Sequence, residues 1–387
     1  MTTSGGDTPG ERAKAALGRR DARSALELLA QIPPADATAE TLLDKALAFR
    51  MLGDLAAAVE ALDGALALAP RHFLALLSKG ALLERLGQTK AAAVIYKNAL
   101  TVAPPAGEIP GALAAPVQRA RAAVADHAAA LADHLRAAVA PLRADASGEA
   151  LGRFDESLAI YAGQTRAYVQ EPLLLAYPRL PAIPFYERPL FPWLADLEAA
   201  TPMLQAELAA VMEASADEFA PYIAFPPGVP VNQWGELNHS RRWASYFLWR
   251  DGTRQEEACA ACPETAALLE SLPMTDQPGF APTAMFSVLE PRTRIPAHTG
   301  SANTRLIVHL PLILPGPARF RVGNVTRPWR LGEAWVFDDT IEHEAWNDAD
   351  APRAILIFDI WNPLLTQAER RLISAMMTAK TQFMAMG

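Results

Sequence analysis

The chain has 387 residues, 51% of them apolar, and a formal net charge of −8, leaving room for two or three domains with cores of their own. No uninterrupted apolar run approaches the ~20 residues a membrane helix needs, and the opening MTTSGGDTPG lacks a basic-then-apolar leader, so a cytoplasmic protein is expected. Residues 1–105 hold 12 basic and 11 acidic residues, so the remainder carries a balance of −9; such a surface repels phosphate backbones, and no nucleic-acid partner is expected.

Residues 1–10 read as a disordered tail, and 11–105 as a helical repeat stack. MLGDLAAAVEALDGALALAP and RLGQTKAAAVIYKNALTVAP align Gly53 with Gly87 and Pro70 with Pro104, both offset by 34. That period, with small residues at Ala57 and Ala91 and a closing Pro, resembles tetratricopeptide repeats, which stack helical hairpins. A degenerate copy lies upstream in RRDARSALELLAQIPP. A generic alanine-rich bundle is the alternative.

Residues 106–180 are assigned to a helical connector, opened by the turn-rich PPAGEIPGALAAP and continued by helical sequence through 149–180. His127 and His134 fall in it, but seven residues of helix rise about 10 Å, too far apart to share an ion. The Pro-rich YPRLPAIPFYERPLFPW leads into a catalytic region over 181–387, where WLADLEAATPMLQAELAAVM reads as one amphipathic helix. Cys259 and Cys262 form an isolated C-x-x-C with no second pair or histidine cluster nearby, so two reduced thiols at a helix start are expected rather than a zinc or redox site. From residue 280 the pattern turns to short β-rich runs (AMFSVLEP, TRLIVHLPLIL, RFRVG, AWVFDD, RAILIFDIW) that suit an antiparallel barrel or jelly roll. The tail TQAERRLISAMMTAKTQFMAMG reads as a helix, packed on the core or on a partner.

Within the β-rich part, His298 and His343 stand 45 positions apart in strand-like sequence, and Arg353 opens the apolar run RAILIFDIW. Two imidazoles from separate strands can hold one face of an iron(II) ion, and a guanidinium at the mouth of a buried strand pairs bidentately with a carboxylate. Together they suggest an iron oxygenase with a dicarboxylate co-substrate; taken singly, each could be a hydrogen-bonded core residue. Arg305, Ile307 and His309 alternate by two and share one strand face.

FSVLEPRTRIPAHTGSANTRLIVHLPL, LGEAWVFDDTIEHEAWND and RAILIFDIWNP, with CPETAALLESLP, resemble the aspartyl/asparaginyl β-hydroxylase family over roughly 181–363. The resemblance implies a double-stranded β-helix, Fe(II) and 2-oxoglutarate as cofactors, and hydroxylation of an Asp/Asn or similar side chain in a peptide or protein recruited by the repeats. It implies His298 and His343 as iron ligands, Arg353 on the distal carboxylate of 2-oxoglutarate, and Ser287, His309 and Trp243 around the same co-substrate. Arg305 is placed with them or in a salt bridge. Gly300 stands where the wider superfamily has a third, carboxylate ligand, a vacancy the family shares; Asp338 or Asp339 could ligate instead, and Asp339 is preferred as orienting an imidazole or water. A free or carrier-bound amino acid is the alternative acceptor, with a lipid acyl chain ranked last for want of a membrane span. A silent repeat scaffold or metal sensor is the alternative from another class.

Overall fold

The computed structural model describes residues 8–146 and 150–385, in two compact units that divide between Arg166 and Ala167. Most of the expected tail, residues 1–7, lies outside the described residues. Its end is helical, because Thr8 caps α1 (Pro9–Gly18) in a reciprocal bond with Glu11.

In the first unit α1 pairs with α2 (Ala22–Leu29), α3 (Ala39–Leu52) with α4 (Leu55–Leu68), and α5 (Phe73–Arg85) with α6 (Thr89–Thr101). These three hairpins are the tetratricopeptide-like stack. Gly53 and Gly87 turn the second and third hairpins with φ of +85° and +76°, a left-handed conformation that glycine enters without a Cβ clash. The degenerate first copy makes the same turn with Arg20 at φ +64°. The small residues that pack are Ala58 and Ala92, one place beyond Ala57 and Ala91, since that step of the helix faces the neighbouring hairpin. Closest approach occurs at Gly80, where a Cβ would sit 2.5 Å from the ring of buried Tyr96.

The connector differs from expectation at both ends. Its turn-rich part is short, because α7 (Gly111–Asp145) begins directly after Pro110 and carries Pro116, His127 and His134 within one long helix packed on α6. Among the described residues of the connector after α7, only α8 (Gly152–Ala162) is helical. Residues 167–180 belong to the second unit, where Gln170 bridges to Ile341 and Leu175 to Ala302. With Pro172 and Pro178 in the run a helix is disfavoured, and backbone bonds such as Leu173 N to Gly300 O at 3.0 Å take its place.

The second unit is a double-stranded β-helix. Its larger sheet runs β1 (Ala220–Pro221), β2 (Trp243–Arg250), β4 (Ala284–Leu289), β11 (Arg353–Trp361), β6 (Arg305–Ile313), β9 (Trp335–Phe337), with β3 (Thr253–Arg254) on β2. The smaller runs β5 (Thr293–His298), β10 (His343–Asn347), β7 (Ala318–Val322), β8 (Val325–Pro328). All pairs are antiparallel, and from β4 to β11 the chain passes back and forth between the sheets, as a jelly roll does.

Helices cover the outer face of the larger sheet. The amphipathic segment is two helices, α9 (Leu194–Ala199) and α10 (Thr201–Ala214), because Pro202 starts a new first turn. Leu204 and Leu208 of α10, with Leu269 of α12 (Pro263–Ser271), pack against Phe286, Leu356 and Phe358. Cys259 in α11 (Glu256–Ala261) and Cys262 ahead of α12 are free thiols buried in this layer, and burial pushes the Cys262 thiol up to about 12. The tail forms α13 (Gln367–Ala385), whose Ile373 packs on Trp361 and Leu365. Between the sheets Phe185, Phe320, Phe337 and Trp335 fill one part of the interior; the rest is an open cavity of about 470 Å³.

Gly80→Ala is expected to destabilise the repeat unit by about 1–3 kcal/mol, because the buried Tyr96 ring has no room to retreat. Denaturant unfolding of the full chain would read it as a lower midpoint for the helical transition; an unchanged midpoint would refute the close packing.

Candidate active site

β5 and β10 are neighbours, and their register sets His343 opposite His298. The ring centroids are 4.1 Å apart. Each Nδ1 lies against the carbonyl two residues earlier, Pro296 O at 2.7 Å and Ile341 O at 3.0 Å. Donation by Nδ1–H to those carbonyls fixes the tautomer and leaves the Nε2 lone pair of each ring available. Burial holds both rings neutral, lowering His298 to about 4 and His343 well below the usual imidazole range. Neutral imidazole is the ligating form.

Arg353 begins β11 and is 1% exposed. Its guanidinium stacks 4.6 Å from the Trp329 ring, yet Nε and Nη1 meet no hydrogen-bond partner among the described atoms. Burial alone draws its pKa down to about 9. A buried cation without an anion costs several kcal/mol, so the surroundings are built to receive one. His309 stands beside it, kept neutral by burial and by the Arg353 charge, with Nδ1 also unpartnered. Ser287 accepts a bond from Trp243 Nε1 at 3.1 Å, which leaves its own hydroxyl hydrogen to donate. Arg353, His309, Ser287 and Trp243 all line the cavity that the two facing histidines line.

These groups suit the implied iron and co-acid: two free imidazole nitrogens for the metal, and orphaned donors around Arg353 for a carboxylate. No group of three or more His, Cys, Asp or Glu converges for a metal among the described residues, so the two imidazoles would be the protein's share of such a ligand set. Gly300 explains why. A Cβ there would lie 1.9 Å from Asp339 Oδ2, so the Asp339 carboxylate occupies the space a side chain at 300 would need. Burial raises the Asp339 carboxyl to about 7, against the pull of Arg305. Asp338 points elsewhere, accepting bonds from Thr340 N at 2.9 Å and Gln170 Nε2 at 2.5 Å.

Arg305 lines the same cavity and forms a buried, hydrogen-bonded ion pair with Asp359, 3.9 Å from Asp339, as in the salt-bridge alternative of its two readings. The physical reason is Asp359 itself: a carboxylate at 0% exposure needs a cation. Asp359 was legible in principle, as an acid six residues after Arg353 and hence on its strand face. Trp234, edge-on to His298 at 4.9 Å, and Trp329 carry no comparable signal.

Residues 198–363 match the family model described as aspartyl/asparaginyl beta-hydroxylase. An ornithine lipid ester-linked acyl 2-hydroxylase from Rhizobium tropici is 35% identical over 222 residues, 57% of this chain and 72% of that protein. The human aspartyl/asparaginyl beta-hydroxylase is 39% identical over 140 residues, 36% of this chain but only 18% of the human protein. The human aspartate beta-hydroxylase domain-containing protein 2 is 28% identical over 211 residues, 54% of this chain and 55% of that protein.

Gly300→Ala is expected to cost about 1–3 kcal/mol of stability, since the new methyl and the Asp339 carboxylate claim one volume. Made in an Asp339→Ala background, the same change should cost little, a coupling that a double-mutant cycle by thermal unfolding reads directly. Additive losses would place the carboxylate elsewhere.

Proposed function

This chain belongs to the aspartyl/asparaginyl β-hydroxylase family, and on that footing we propose that it is an Fe(II)- and 2-oxoglutarate-dependent hydroxylase. The observation that carries the reading is Arg353, a fully buried guanidinium whose Nε and Nη1 meet no hydrogen-bond partner, in the same cavity as two neutral, facing imidazoles. His298 and His343 would hold iron(II), and Arg353 the far carboxylate of the co-acid, helped by Ser287 and His309. Bound there, iron and 2-oxoglutarate supply dioxygen chemistry in which one oxygen atom enters an acceptor C–H bond and the other enters the co-acid, which leaves as succinate and carbon dioxide.

The chain's own part is placement and exclusion. The Trp234 and Trp243 rings wall the His298 side and limit water there. Asp339, whose carboxyl burial pushes up to about 7, would orient a water beside the metal. The family description names aspartyl and asparaginyl acceptors, and the R. tropici relative's name specifies an acyl chain. An Asp/Asn side chain in a peptide is the acceptor the family description favours; the acyl chain is favoured by the relative with the longer match. Stacked hairpins present an extended face for a macromolecule, so the repeats are assigned to recruiting the partner that carries the acceptor.

His298→Ala and His343→Ala should each abolish iron-dependent succinate formation, while Arg353→Ala should keep iron and raise the half-saturating 2-oxoglutarate concentration at least 30-fold, a loss of about 2–5 kcal/mol. Parent-like saturation in Arg353→Ala would transfer the role to another cation. Removal of residues 1–166 should spare acceptor-independent 2-oxoglutarate consumption and weaken modification of the natural partner through lost effective concentration; unchanged apparent affinity in a folded truncation would end the recruitment assignment.

A further inference from the structure

One flank of α13 is apolar and turned to solvent. Ile373 and Met377 point inward onto Trp361, Leu175, Tyr177 and Leu180, while Leu372, Met376 and Phe383 are 70%, 51% and 71% exposed. Steps of four and seven residues put these three on one side of the helix. Glu369, three residues before Leu372, shares that side, and its carboxylate accepts a bond from Tyr177 Oη at 2.9 Å. The stripe therefore borders the extended segment 167–180. On that segment Leu173 and Leu174 are exposed as well, although their N–H groups are anchored on the carbonyls of Gly300 and Ser301 at the edge of the cavity. Large apolar side chains gathered on one face mark an interaction surface.

The charges on this face identify what covers it. Exposed arginines elsewhere in the second unit are ion-paired to carboxylates, as Arg188, Arg254, Arg292 and Arg319 are. Arg179 on the extended segment and Arg371 and Lys380 on α13 are exposed and form no such pair among the described residues. The one acid of α13, Glu369, is occupied by Tyr177 and by the Thr366 N–H, and Glu171 is the only acid of the segment. A second copy laid on this face by two-fold symmetry would set cation against cation. Apolar side chains standing out from a helix flank beside unpaired cations suit an anionic bilayer, where the apolar groups enter the acyl boundary and the cations stay among the headgroups.

We propose that the α13 flank, with Leu173 and Leu174, is a docking face for the surface of an anionic phospholipid membrane. It stands apart from the hydroxylase reading and from the identity of the acceptor. No described helix is long and apolar enough to cross a bilayer; this contact needs none, because the helix lies along the surface. The chain's net charge of −8 opposes the contact at long range, so attraction depends on the local cations and weakens with salt.

The test is co-flotation of the full chain with vesicles of phosphatidylcholine alone or mixed equally with phosphatidylglycerol. Partition into the mixed vesicles should be stronger by about tenfold or more and fall as salt is raised. Replacing Leu372, Met376 and Phe383 together by Ser should weaken it about tenfold. Replacing Arg179, Arg371 and Lys380 together by Gln should abolish the preference for the anionic lipid, and this variant keeps the test if the first misfolds. Leu52→Ser, which removes an exposed apolar group of the repeats, should float like the parent. A parent that ignores mixed vesicles, or a folded Ser variant that floats undiminished, overturns the proposal. So does a parent dimer in sedimentation that the Ser variant dissolves while neither binds vesicles, for then a second copy covers the face. Turnover enters none of these readouts, so failure here and failure of the hydroxylase reading are told apart.

Discussion

The second unit depends on one pairing, the register of β5 with β10. It sets His298 opposite His343 across a single antiparallel step, where side chains on one face are close enough to act on one centre. A slip of one residue would turn one imidazole to the outer face. The register is secured away from the histidines: Arg294 of β5 and Arg321 of β7 both bind Glu344 of β10 on the opposite face, and Trp346 lies between Arg294 and Arg319. The outer, charged face of the smaller sheet thus holds its inner face in place.

The larger sheet solves a different problem. Its outer face is a continuous apolar surface under helices, while its inner face carries Arg353, His309, Ser287, Arg305 and Asp359. Polar groups on the buried side of a strand are costly, so each needs a partner or a purpose. Arg305 and Asp359 neutralise each other's charge, although Arg305 Nε and Asp359 Oδ1 keep no hydrogen-bond partner. Ser287 and Trp243 satisfy each other in part. Arg353 and His309 are left with open valences side by side, and that contrast within one sheet separates a structural charge from a receptive one.

Much of this was legible in sequence where a periodicity or a backbone requirement left a mark. The 34-residue offset located the hairpins because Gly53 and Gly87 serve the same left-handed turn; the first copy was fainter because Arg20 makes that turn at some strain. Alternation placed Arg305, Ile307 and His309 on one face of β6, and they do line one cavity. Alternation could not say what would lie across from Arg305, since Asp359 is 54 residues away and the pairing of β6 with β11 is a property of topology. Helical composition misled over 167–180, where tertiary bonds to Gly300, Ser301 and Thr340 fix an extended path. The volume shared by Gly300 and Asp339 was invisible for the same reason: a glycine reports that something is close, never what.

The lone guanidinium of Arg353 has a consequence for the protein's persistence as well as its chemistry. A buried charge with unsatisfied donors lowers the stability of the folded chain, and any anion that binds only the folded form restores it in proportion to the logarithm of its concentration. Under the proposed function that anion is the dicarboxylate co-acid, and the lifetime of the second unit against unfolding and proteolysis would then be tied to its supply. Scarcity of the co-acid would slow turnover at once and, over a longer time, thin the protein's population.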